Sequence, residues 1–243
     1  MRGLVRIAGA LAGLLTLSAC LVTPGRFESS LDIRADRRFA FTYSGEILAS
    51  DLSPEALTGG GDGSEADDGA AAEPTLLPVA AQAQEDFSAD GADDDDAQMQ
   101  AIAAALLREK GFRSARYLGD HKFEIDYAVS GRLDHAFLFP FNIDAQIILP
   151  FVAVELRGDE RVRVKAPGFA TGFDKSQGPG GLGGAGDKAA KALNGRFTLT
   201  TDAQIISQNQ EEGVQDAPEG KRIVWTVTPL TSDAPMATLR LAP

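Results

Sequence analysis

The sequence predicts an α+β domain, built mostly from antiparallel strands with one amphipathic helix. Apolar side chains recur at period two in several separate stretches, such as Phe39, Phe41 and Tyr43, and again Phe123, Ile125, Tyr127 and Val129. That alternation marks half-buried antiparallel strands. A helical stripe marks one long stretch, residues 97–110. Short runs rich in Gly, Asp and Pro separate these segments and read as turns.

Taken in order, the chain opens with a basic start at Arg2 and Arg6, then an apolar run from Ile7 to Leu17 and small residues before Cys20. This is the three-part pattern of a secretory signal peptide, residues 1–19. Its apolar run is too short for a spanning helix, which needs roughly 20 residues. Residues 20–25 then read as a tether, and 26–243 as a single domain. Leu31 and Ile33 alternate with Asp32 and Arg34, residues 35–37 make a polar turn, and Phe39 to Ile47 form the return strand with a bulge expected at Gly45.

Residues 51–92 are Gly, Ala, Asp, Glu, Pro and Gln with few apolar side chains, and read as a disordered acidic insertion. From Phe39 to Leu107 there are 15 carboxylates and no Lys, Arg or His. The alternatives to a solvated loop are a Ca²⁺ site or an acidic interaction arm. The consecutive Asp93 to Asp96 do not match the alternating ligands of a calcium loop. They suit a helix start, with Asp96 as cap and the others against the positive end of the dipole. Met99, Ile102, Ala103, Leu106 and Leu107 form the expected stripe, and Gly111 the stop.

Strands follow at 112–117 and 122–130 around a turn at Leu118-Gly119-Asp120. The run from Phe137 to Val154 is the most apolar of the mature chain, but Pro140, Asn142, Asp144, Gln146 and Pro150 exclude a simple spanning helix. Strands are expected around 142–149 and 151–156. Phe137, Phe139 and Phe141 belong either to the core or to an exposed loop that enters lipid or holds an acyl ligand. Arg161, Arg163 and Lys165 share one strand face opposite Val162 and Val164; this is either a solvated face or a contact for anionic headgroups. Residues 174–186 are a Gly-rich loop. Two overlapping G-x-G-x-x-G matches there lack the strand that a dinucleotide site requires directly before the first glycine, so no nucleotide is assigned. Strands at 196–200, 204–207, 221–228 and 238–241 complete the chain.

No constellation for catalysis stands out. The two histidines, His121 and His135, lie in no H-E-x-x-H, no G-x-S-x-G elbow is present, and Cys20 is the only cysteine. No cofactor or metal is expected, and the chain reads as non-enzymatic. Loss of residues 1–19 removes two cations and leaves a net charge of −14, with no basic footprint for nucleic acid.

Leu17-Ser18-Ala19-Cys20 resembles the lipobox of bacterial lipoproteins, in which the cysteine is acylated and becomes the new N-terminus. The resemblance implies a membrane anchor of diacylglyceryl and acyl chains on Cys20. Leu21, where an Asp would retain such a protein in the inner membrane, implies the outer membrane and its periplasmic face. Leu31 to Gly45 and Gly220 to Val227 also resemble the LppM-like bacterial lipoproteins. That likeness implies a curved antiparallel sheet and lipid-related binding, and it carries over no catalytic residue. Three functions follow as expectations: a non-enzymatic envelope lipoprotein binding a lipid, glycolipid or envelope partner; a structural or assembly factor acting through its acidic arm; and an envelope hydrolase with an unrecognised site.

Overall fold

The computed structural model describes residues 20–51, 91–140, 150–171 and 190–242. Residues 1–19, read from the sequence as a signal peptide, most of the acidic insertion, the strand expected at 142–149, Phe141 and the Gly-rich loop lie outside the described residues. The fold is α+β, with its strands divided between two sheets.

The long hairpin of β1 (Cys20–Ile33) and β2 (Arg38–Asp51) forms the middle of the first sheet. Helix α1 (Gly91–Leu106) leads into β3 (Phe112–Tyr117) and β4 (Lys122–Arg132). Three strands of the second sheet come next: β5 (Phe137–Phe139), β6 (Val152–Arg157) and β7 (Arg161–Lys165), with a 3₁₀ turn at Pro167–Phe169. The chain returns to the first sheet as β8 (Asn194–Thr201), crosses again for β9 (Gln204–Gln208), and ends through β10 (Gln215–Ala217), β11 (Gly220–Val227) and β12 (Met236–Arg240). The strand orders are β10-β11-β8-β1-β2-β4-β3 and β5-β6-β7-β12-β9. All pairings are antiparallel except β1 with β8.

The segment read as a tether is the first part of β1: Cys20 faces Asp51 in the register and Pro24 faces Ile47. The bulge lies in β1, between Pro24 and Phe27, opposite the position expected for it. Gly45 (φ +156°) accommodates it, since a Cβ there would come within 2.3 Å of the Arg26 carbonyl oxygen. Gly195 on the other flank is as constrained, with its virtual Cβ 2.4 Å from the Phe27 carbonyl oxygen. Phe27 thus fits between two neighbours that lack side chains and stacks on Phe169 of the second layer at 4.2 Å. Glu46 ties the bulge: its carboxylate accepts from Arg26 Nη2 at 2.6 Å and from the Arg26 backbone amide at 3.3 Å.

The two sheets enclose one aromatic core. Phe41 and Tyr43 of β2 meet Phe139 of β5 at 4.9 and 5.2 Å, and Phe169 meets Phe197 of β8 at 5.5 Å. These offset and tilted arrangements add to the area each ring removes from water. At the crossing from β8 to β9, the buried Thr201 hydroxyl donates to Ile33 O at 2.6 Å and accepts from Ala203 N at 3.0 Å. Asn209 holds the other crossing, accepting from Trp225 Nε1 (3.1 Å) and Met236 N (2.8 Å).

The helix begins six residues before the expected start and ends at Leu106. Asp93 to Asp96 therefore lie inside its first turns rather than ahead of it. Its buried face is narrower than the sequence stripe: Met99 and Ala103 are buried, Leu106 is half-buried, and Ile102 and Leu107 are exposed. Leu107 falls in the turn after the helix, which explains its departure from the stripe.

Candidate functional site

A cleft of about 590 Å³ opens where the edge strand β5 approaches β4. That size suits a small-molecule ligand. Phe39, Phe112, Tyr127, Val129, Phe137 and Phe139 give it an apolar interior, and Glu109, Lys110, Arg132 and His135 stand among its other lining residues. The period-two face of β4 makes one wall. Phe123 and Ile125 are fully covered, but Tyr127 and Val129 are half-buried, so the same alternating face passes from core into cleft.

Burial pushes the Tyr127 hydroxyl above its ordinary pKa, so it is a neutral donor at physiological pH. Gly111 (φ +103°) closes the far side: a Cβ there would overlap the Tyr127 ring at 2.5 Å, and its carbonyl accepts from Ala128 N at 2.8 Å. Arg132 is held by Asp36 O at 2.9 Å and by Asp134 at 3.4 Å. The cleft thus offers an apolar interior and a few polar groups at its margins, the composition of a site for a mostly apolar ligand. Among the described residues no group of three or more His, Cys, Asp or Glu is arranged to hold a metal.

The structure splits the aromatic candidates by strand geometry. Phe137 and Phe139 occupy β5, not an exposed loop: Phe139 is 1% exposed and Phe137 packs on Phe39 and Phe41, both at 5.2 Å. Their alternation sends both inward, and Leu138 outward at 37% exposure. Both belong to the core and line the cleft as well. Arg161, Arg163 and Lys165 lie on β7 and alternate with the fully buried Val162 and Val164. They sit on the outer face of the second sheet, away from the aromatic core, so the two sets of candidate residues do not share one site. Arg163 donates to Met236 Sδ at 3.4 Å.

His135 lines the cleft, whereas His121 sits in the β3–β4 turn with φ +56°, its carbonyl accepting from Ala49 N at 2.9 Å. The walls supplied by Phe39, Phe112, Tyr127 and Val129 carry no distinct sequence signal, because a strand residue facing a cleft has the same periodicity as one facing a core. Of Cys20 the backbone strand pairing is described.

No family model matches the chain, and no curated protein matches it. Among solved structures, it is similar to the folded domain of the LppM protein of Mycobacterium tuberculosis, with 13% identity over 92% of this chain and 93% of that one and a TM-score of 0.30. A likeness of that size carries no argument about fold, ligand or activity. Among the described residues no helix is long and apolar enough to cross a membrane.

Proposed function

We propose that the protein is a non-enzymatic envelope lipoprotein, anchored through Cys20 at the periplasmic face of the outer membrane, whose cleft binds a lipid or glycolipid by its apolar part. The observation that carries the binding reading is the cleft itself: about 590 Å³ lined by Phe39, Phe112, Tyr127, Val129, Phe137 and Phe139. Such apolar surface favours an acyl chain by about 0.8 kcal/mol for each buried CH₂. The anchor rests on the sequence Leu17-Ser18-Ala19-Cys20 behind its signal peptide.

Binding is tested on the mature chain from residue 20 carrying Cys20→Ser, with a fluorescent fatty acid as probe. Saturable binding that is lost in Val129→Trp supports the reading; an absence of binding, or binding unchanged by filling the cleft, overturns it. Acyl labelling of Cys20 in cells tests the anchor, and a Cys20→Ser variant that remains labelled and membrane-bound defeats it. The 15 carboxylates between Phe39 and Leu107 favour a second reading, an assembly factor that presents its acidic arm to a partner. Deleting residues 55–90 and recovering the same partners would defeat that reading.

A further inference from the structure

The outer face of the second sheet carries a charge arrangement that folding alone does not favour. Arg161 of β7 stands directly opposite Arg157 of β6 on one side and Arg240 of β12 on the other. Three guanidinium side chains thus occupy a single rung of three strands about 4.8 Å apart. Like charges placed directly opposite each other in a sheet destabilise it. The next rung adds Arg163, opposite Glu155 and Thr238, and the one after adds Lys165, opposite Ala153 and Met236. Glu155 is the one carboxylate on these three strands' outer face, and it pairs with Arg157. Arg240 donates to the neutral Gln204 amide oxygen at 3.3 Å. Asp159 and Glu160 lie in the β6–β7 turn at the end of this face, where the Asp159 carbonyl accepts from Arg37.

The same face has an apolar margin. Leu138 of β5 stands opposite Ala153, in the rung that also holds Lys165 and Met236. A face with an arginine rung and the exposed Leu138 at its margin has the composition of a membrane-surface contact. Guanidinium groups suit phosphate oxygens through paired donors. Leu138 also lines the cleft, so this margin adjoins the cleft mouth.

We infer that the outer face of the second sheet docks on an anionic phospholipid surface through Arg157, Arg161 and Arg240, and so brings the mouth of the cleft against the bilayer. The inference builds on the cleft reading above by naming the surface from which its ligand is taken. Phosphate headgroups relieve the repulsion within the arginine rung, and the apolar margin by β5 meets the interface where an acyl chain would leave it.

The test is co-sedimentation of the mature Cys20→Ser chain with vesicles of phosphatidylglycerol and phosphatidylcholine, against vesicles of phosphatidylcholine alone. Wild type sediments with the anionic vesicles, less so as salt rises. Each lost cation lowers partition about five-fold, so R157Q/R161Q/R240Q lowers it about 100-fold, with a melting temperature no lower than that of the wild type because the repulsion in the rung is gone. Val129→Trp keeps vesicle binding while losing the fatty-acid probe, which separates failure of the docking surface from failure of the cleft. Wild-type protein that ignores anionic vesicles, or a triple variant that binds them as wild type does, overturns the inference. So does a result in which a peptide of residues 85–96 binds the arginine face and the vesicles do not.

Discussion

Replacing Phe139 by Ala tests the central claim about β5, that it is a docked strand with its aromatic side chains inward. Phe139 is 1% exposed and its ring lies 4.7 Å from Tyr127, 4.9 Å from Phe41, 5.2 Å from Tyr43 and 5.9 Å from Phe151. It joins β5 to both β2 and β4, so its removal opens a cavity that backbone movement on one side cannot fill. Truncation of such a residue costs about 3–5 kcal/mol, and the four ring contacts place it toward the upper end. For a domain of this size that lowers the melting temperature by roughly 10 °C or more. Leu138→Ala, one residue earlier on the outer face, costs less than about 1 kcal/mol. Calorimetry and urea unfolding of the two variants give the comparison. Equal losses, or a larger loss at Leu138, refute the inward placement and return this segment to the exposed-loop alternative.

Gly195→Ala places a methyl 2.4 Å from the Phe27 carbonyl oxygen and is expected to destabilise by about 3 kcal/mol or more, whereas Gly213→Ala, at φ +79° with nothing within 4 Å, incurs about 1 kcal/mol of backbone strain; urea midpoints separate them. Hydrogen bonding to Arg26 holds the Glu46 carboxyl below its usual pKa, so its ionised form stabilises the fold above the unfolded value near 4.3 and that contribution is lost as pH falls through the lower folded value. Glu46→Gln therefore weakens the protein at pH 7, and the difference from wild type narrows as pH falls below the unfolded value of about 4.3; a constant difference down to pH 2.5 contradicts the pairing. Met99→Ala should cost about 2 kcal/mol and Ile102→Ala about 0.5, because only Met99 lies on the buried side of α1; a reversed order in thermal denaturation rejects the observed helix face.

Strand positions were legible wherever alternation is local. The expected 112–117 and 122–130 correspond to β3 and β4 almost residue for residue, and Arg161 to Lys165 is β7 as expected. Partner choice was less legible. Nothing in Leu31 or Leu199 states that β1 runs parallel to β8, because that pairing depends on where the chain returns after the six intervening strands β2 to β7. The division into two sheets is hidden for the same reason: Phe139 and Phe41 have similar local patterns, yet belong to opposite layers. The early part of β1 was obscured by Thr23, Pro24 and Gly25, which read as a linker until the opposite strand is known. The arginine rung was half visible, in that the short turn at 158–160 sets Arg157 against Arg161, while Arg240 arrives from the end of the chain.

The length of the first hairpin decides how an anchor at Cys20 relates to the cleft. Cys20 pairs with Asp51 at one end, and Phe39 of the cleft lies near the other, 12 residues along β2. At about 3.3 Å per residue the two are about 40 Å apart along the strand. If the hairpin stood upright on the bilayer, the cleft would lie well beyond the headgroups. With the second sheet lying on the surface, the strands run along the bilayer and the long hairpin spans laterally from anchor to cleft. In that posture β5 has one side chain, Leu138, toward lipid and two, Phe137 and Phe139, toward the interior, which gives an acyl chain a short route past a three-residue edge strand. A fluorophore attached at residue 138 is then quenched by headgroup-linked quenchers in anionic vesicles when the Cys20-anchored protein is reconstituted. An unquenched label, with anchoring intact, supports the upright posture and excludes direct passage from bilayer to cleft.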